Sequence, residues 1–162
     1  MPQGDDLEVL SNSSEDTLRL GGAIGGILFP GDVVCLEGEL GTGKTVVARG
    51  IAGGRGHRGV VPSPTFLIIH PYPLASFCHV DAFRLEGPDE LIEAGIEEYL
   101  DGEWICAVEW ACRVRAALPP GALTVRLEFT EDDDRRRITL EGGSEWECRL
   151  EGVRRELERD AS

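Results

Sequence analysis

The sequence predicts a three-layer α/β fold: a central mixed sheet with parallel core strands, followed by a C-terminal antiparallel hairpin plus helix. Three observations predict it. Short continuous apolar runs, the mark of strands buried on both faces, recur at residues 33–36, 77–80 and 105–108, and helical patterns separate them. A glycine-rich turn at residues 38–45 joins the first of these runs to a helix. Two segments of period-two alternation, 123–129 and 137–140, then precede a charged helix with one apolar stripe.

In chain order, residues 1–13 are polar without apolar periodicity and are expected to be a loose lead-in. Thr17, Leu20, Ile24 and Ile27 then have helical spacing, with Ser13 or Ser14 as the cap and Glu15 and Asp16 in the first turn. Gly21, Gly22, Gly25 and Gly26 weaken that helix by about 1 kcal/mol each relative to alanine. Pro30-Gly31-Asp32 turns the chain into the strand at 33–36. A helix over 44–52 follows the glycine turn and ends at Gly53-Gly54. Two prolines stiffen 60–66, residues 66–69 read as strand, and 77–80 form a strand ending at Asp81. Pro88 opens a helix through Leu91, Ile92, Ile96, Tyr99 and Leu100, with a break at Gly95. The strand at 105–108 ends at Glu109-Trp110, and Pro119-Pro120-Gly121 leads into the hairpin. Trp146, Leu150, Val153 and Leu157 line the buried face of the last helix.

The 162 residues make one domain, 1–162, able to bury roughly 70% of its unfolded surface. A hydrophobic share of 41% excludes a wholly disordered chain. The net charge of −14 excludes broad gripping of a nucleic-acid backbone but leaves room for a nucleotide in a local pocket. Five cysteines, an odd number without C-x-x-C spacing, read as reduced thiols. No apolar run approaches the roughly 20 residues needed to span a bilayer, so a cytoplasmic protein without membrane contact is expected.

The chemistry concentrates in Gly38-Glu39-Leu40-Gly41-Thr42-Gly43-Lys44-Thr45, a full G-x-x-x-x-G-K-T phosphate-binding loop. Its glycines let successive N–H groups face phosphate oxygens, and the next helix adds the positive end of its dipole. Lys44, the one lysine beside fifteen arginines, would reach the terminal phosphates, and the Thr45 hydroxyl would ligate Mg²⁺. The bland alternative is a glycine turn that only resembles the pattern. A P-loop NTPase-like fold also needs a carboxylate beside the metal, and Asp81 and Glu109 stand at the carboxyl ends of apolar strands, where such ligands gather. Either could instead be a turn former or cap. Ser63 and Thr65 lie beside prolines and form either a phosphate-sensing switch or a rigid lead to the next strand. His79 reads as a core or supporting histidine rather than a base. Trp110 either covers a nucleotide or packs on the core. The acidic run 86–103 is most simply a solvated face.

These residues, taken in order, resemble the TsaE family, the small bacterial P-loop ATPases of tRNA threonylcarbamoyladenosine synthesis. The resemblance runs from Ser14 to about Leu140. It rests on Glu15-Asp16-Thr17, GELGTGKT at 38–45, Ser63-Pro64-Thr65-Phe66, HVDAFRL at 79–85, Glu90-Leu91, and ICAVEW at 105–110. It implies ATP with Mg²⁺ as cofactors, Thr45 and Glu109 as metal ligands, and Asp81 as a catalytic or metal-linked acid beside Lys44 and Glu109. It implies nucleotide contacts from residues 39–45, Ser14, Thr17, Ser63 and Thr65, and Trp110 is taken with them as a candidate nucleotide contact. It further implies a slow Mg-dependent ATPase that acts with TsaB and TsaD on adenosine 37 of tRNA, touching tRNA only through those partners. Ala111 replaces the family's usual proline, Phe83 its tyrosine and Glu39 its aspartate. A small-molecule kinase and a non-hydrolysing assembly module are the competing readings of the same loop.

Overall fold

The computed structural model describes residues 6–61 and 67–162. Seven strands form one mixed sheet in the order β1-β7-β6-β2-β5-β4-β3. The strands are β1 (Leu7–Ser11), β2 (Val33–Glu37), β3 (Ile69–Tyr72), β4 (Phe77–Asp81), β5 (Ile105–Glu109), β6 (Leu123–Phe129) and β7 (Arg136–Glu141). The four inner strands β6, β2, β5 and β4 run parallel, while β3, β7 and β1 are added antiparallel. All five residues of β2 and of β5 are buried, as the continuous apolar runs require.

Strand alternation sorts the core into two halves. Val34, Leu36, Phe77, Ile105 and Ala107 face the layer of α1 (Ser14–Ile27), α2 (Lys44–Gly54) and α4 (Glu147–Asp160). Cys35, Cys78, Val80, Cys106 and Val108 face the other layer, built from α3 (Pro88–Glu93) and short 3₁₀ turns. By the same period of two, His79, Asp81 and Glu109 look toward α1 and α2. The cysteines are all free thiols; three are buried, and burial pushes Cys35 up to about 11. Among the described residues no helix is long and apolar enough to cross a membrane.

The glycines that weaken α1 as a helix are what let it pack. A Cβ on Gly21 would lie 2.5 Å from the Val47 carbonyl oxygen, and one on Gly25 would lie 2.6 Å from that of Ile51. Reciprocally, Gly50 abuts the Leu18 carbonyl and Gly54 that of Gly22, at 2.4 and 2.5 Å for the same hypothetical atom. Gly21 meets Gly50 and Gly25 meets Gly54, so the two helices run parallel with both N-termini at the same end. Ser13 caps α1, its hydroxyl accepting from the Asp16 N–H at 3.1 Å. At the other end Arg149 of α4 donates to the Ile27 carbonyl and pairs with Asp32, tying α4 to the turn before β2.

Three expectations need correction. Within the lead-in expected to be loose, residues 7–11 form a strand, β1, paired with β7 from Leu7↔Leu140 to Ser11↔Arg136. Of the strand expected at 66–69, Phe66 lies outside the described residues and Leu67 and Ile68 are not strand; β3 runs from Ile69 to Tyr72, and its Pro71 is accommodated because β3 is an edge strand. The helix opened by Pro88 stops at Glu93, and Gly95 (φ +98°) turns the chain into a 3₁₀ segment over Ile96–Tyr99. The hairpin and last helix stand where the pattern puts them, at 123–141 and 147–160.

Candidate functional site

The site assembles where β2 hands over to α2. Gly38 (φ +151°), Gly41 (φ +85°) and Gly43 (φ +110°) all take left-handed backbone conformations, which residues with a Cβ rarely adopt. At Gly38 a Cβ would also strike the Leu127 carbonyl oxygen at 2.6 Å. Thr42 closes the turn, its hydroxyl donating to the Glu39 carbonyl at 2.8 Å. The N-cap of α2 is Gly43, which makes no side-chain cap, so among the described residues the first-turn N–H groups and dipole remain available to an anion.

Lys44 folds back into this loop. Its Nζ donates to the carbonyls of Gly38 (2.6 Å) and Glu39 (2.9 Å) and lies 4.2 Å from the centre of the Trp110 ring. Burial holds its pKa below the ordinary lysine value, against the opposing pull of the Glu109, Asp81 and Glu37 carboxylates. Trp110 itself has φ +58°, a costly conformation for a bulky residue. Its backbone N–H donates to the Leu36 carbonyl at 3.1 Å, and Phe83 packs on its ring at 5.1 Å between centroids. Ala111, in the place of the expected proline, is buried and starts a 3₁₀ turn over Ala111–Arg113.

Beside the lysine, the Thr45 hydroxyl donates to Glu109 at 3.0 Å to Oε1 and 3.1 Å to Oε2. His79 Nε2 lies 2.6 Å from Glu109 Oε2. Asp81 is the register partner of Glu109 across β4 and β5, and its Oδ1 accepts from the Phe83 N–H at 2.9 Å. Burial first, and the neighbouring Glu109 charge as well, raise the Asp81 pKa above its ordinary value, while the Phe83 N–H opposes the shift. Thr45, Glu109 and Asp81 offer oxygen donors only, which suits a hard divalent cation. Among the described residues no three His, Cys, Asp or Glu side chains form a metal cage. An ion here would complete its shell from water and from a phosphate, as Mg²⁺ commonly does.

On the α1 side a cleft of about 160 Å³ is lined by Ser13, Ser14, Thr17, Gly41, Thr42, Gly43 and Val46, with Asp134 and Arg136 at its rim. Thr17 is buried, and its hydroxyl lies 2.7 Å from Ser11 Oγ, so it supports the wall as well as lining it. The structure therefore brings together Lys44, Thr45, Asp81, Glu109 and Trp110, with Ser14 and Thr17 on the far side of the loop. Glu39 and Leu40 are exposed and offer the site their backbone. Ser63 and Thr65 lie outside the described residues. The arginine run 135–137 stands out in the sequence, but sequence reasoning did not place Arg136, or Asp134, at this cleft. The Arg136 position follows from the Ser11↔Arg136 pairing of β1 with β7, for which the chain carries no local signal.

Comparison with known proteins adds an independent observation. A family model described as "Threonylcarbamoyl adenosine biosynthesis protein TsaE" matches residues 11–138. The tRNA threonylcarbamoyladenosine biosynthesis protein TsaE of Bacillus subtilis is 36% identical over 143 residues, covering 87% of this chain and 89% of that protein. Its counterpart in Treponema pallidum is 34% identical over 135 residues, covering 83% and 99%. The crystal structure of Bacillus subtilis YdiB superposes with a TM-score of 0.74 at 30% identity, covering 97% of both chains.

Proposed function

This chain belongs to the TsaE family of tRNA threonylcarbamoyladenosine biosynthesis, and on that premise we propose that it is the pathway's ATP-binding and ATP-hydrolysing subunit. It works as one P-loop ATPase domain with the proteins TsaB and TsaD. The observation that carries this reading is the convergence of Lys44, Thr45, Asp81 and Glu109 at the uncapped start of α2.

In this reading the N–H groups of residues 39–45 cradle the phosphates of ATP. Lys44 exchanges its two carbonyl partners for phosphate oxygens, and Trp110 covers it from solvent. Thr45 and Glu109 hold Mg²⁺, with Asp81 beside them; when bound, the ion neutralises phosphate charge and fixes the terminal group for attack. Asp81, with its pKa raised by burial, is the side chain suited to accept a proton from the attacking water. Ser14 and Thr17 face the base and ribose, and Ser63 and Thr65 respond to the terminal phosphate.

Alone the protein hydrolyses ATP slowly, because among the described residues no arginine pairs with Asp81 or Glu109, and transition-state charge left without an arginine finger is a deficit of about 10³–10⁵ in rate. The test is ATP hydrolysis with and without TsaB and TsaD. A low rate that rises on adding both partners is expected, and equal rates overturn partner dependence. A phosphorylated small acceptor among the products would instead establish the kinase reading.

A further inference from the structure

We infer that His79 is a positioning residue that sets the orientation of the Glu109 carboxylate for the metal. This rests on the reading above that Thr45 and Glu109 hold a divalent cation. His79 sits within β4 with none of its surface exposed, on the face that also carries Asp81. A carboxylate can only accept, so the 2.6 Å contact has the ring's Nε2–H donating to Glu109 Oε2.

Two features assign this bond a role beyond filling the core. The other ring nitrogen, Nδ1, is buried without a partner among the described residues. An apolar side chain there would avoid that cost, so packing alone does not account for a histidine. The second feature is the asymmetry of the donors. The Thr45 hydroxyl reaches both Glu109 oxygens almost equally, at 3.0 and 3.1 Å, and so does not select a rotation of the carboxylate. His79 touches Oε2 alone and does select one. Glu109 is itself 4% exposed, which leaves little water to orient it. His79 thus fixes Oε2 and leaves Oε1 free of the imidazole donor.

The experiment reads metal affinity directly, by electron paramagnetic resonance of Mn²⁺ titrated into the full-length protein with ADP. His79→Phe keeps an aromatic ring but has no donor, whereas His79→Gln keeps an N–H. The Phe variant should bind Mn²⁺ about 10–100-fold more weakly, with its ADP affinity in EDTA unchanged, and the Gln variant should recover part of the loss. On a Glu109→Gln background, His79→Phe should produce no further loss, since His79 acts through Glu109. A folded His79→Phe protein with wild-type Mn²⁺ affinity overturns the inference, as does a loss that persists undiminished without Glu109. If the Phe variant does not fold, His79→Asn, whose shorter amide stops short of Glu109, decides in its place: weakened Mn²⁺ binding supports the role and wild-type binding overturns it. Absence of ADP-dependent Mn²⁺ binding by the wild-type protein overturns the metal reading itself, before any variant is compared.

Discussion

Lys44 holds three partners that a phosphate would have to replace: the carbonyls of Gly38 and Glu39 and the ring of Trp110. Lys44→Ala should weaken nucleotide binding by about 10–100-fold, the worth of a charged hydrogen bond, in a titration with a fluorescent ADP analogue. The thermal midpoint should hold, because the change removes a buried charge rather than an apolar contact. As the sole lysine, Lys44 is also the only side-chain target of an amine reagent, and Mg·ATP should protect it. Asp81 offers a prediction with a sign. Its folded pKa is raised, so the native state binds the extra proton, and stability falls as pH rises from the unfolded value near 3.8 through the folded one. Asp81→Asn should therefore raise the thermal midpoint at pH 7, with the gain vanishing near pH 3.5, while turnover drops about 100-fold if Asp81 handles the attacking water. Lys44 and Thr45 were legible from their loop, and Asp81 and Glu109 from their places at strand ends. The contact of His79 with Glu109 was not, because two strands 30 residues apart must pair before the side chains meet.

At the scale of elements, the contact of α1 with α2 makes opposite predictions for glycines that look alike in sequence. Gly50→Ala places a methyl 2.4 Å from the Leu18 carbonyl oxygen and should cost about 1–3 kcal/mol by overpacking. Gly53→Ala in the same helix meets nothing within 4 Å and should stabilise by up to about 1 kcal/mol through helix propensity. Urea denaturation of both variants checks the pair, and equal effects would show that the helices do not pack as described. Glycine in a helical pattern reads as weakness because propensity is local, whereas close approach is a property of two helices together. The strand β1 was illegible for a related reason. Its inward residues Leu7, Val9 and Ser11 do alternate, but the outward Leu10 is exposed and breaks the pattern, and the partner strand lies about 130 residues away. The inner strands read correctly because burial on both faces leaves an unbroken apolar run.

For the whole molecule the dominant quantity is the net charge of −14. Acidic residues of 86–103 are almost all exposed, and that stretch holds no lysine or arginine. The protein alone should not bind tRNA at near-physiological salt, since like charge repels a polyanion at long range. With TsaB and TsaD present, tRNA affinity should change with ATP. A filter-binding or anisotropy titration checks both, and tight, salt-sensitive binding by the lone protein would disprove indirect action. The parallel glycine seam has a consequence at this scale too, because it makes the cleft a calliper. Its jaws are the starts of α1 and α2, held at one spacing by the seam further along, where the backbone at Gly21 and Gly25 is pressed on that at Gly50 and Gly54. Such a gauge selects by length: adenosine and inorganic triphosphate, each reaching a single jaw, should displace a fluorescent ADP analogue only at far higher concentration than ADP does.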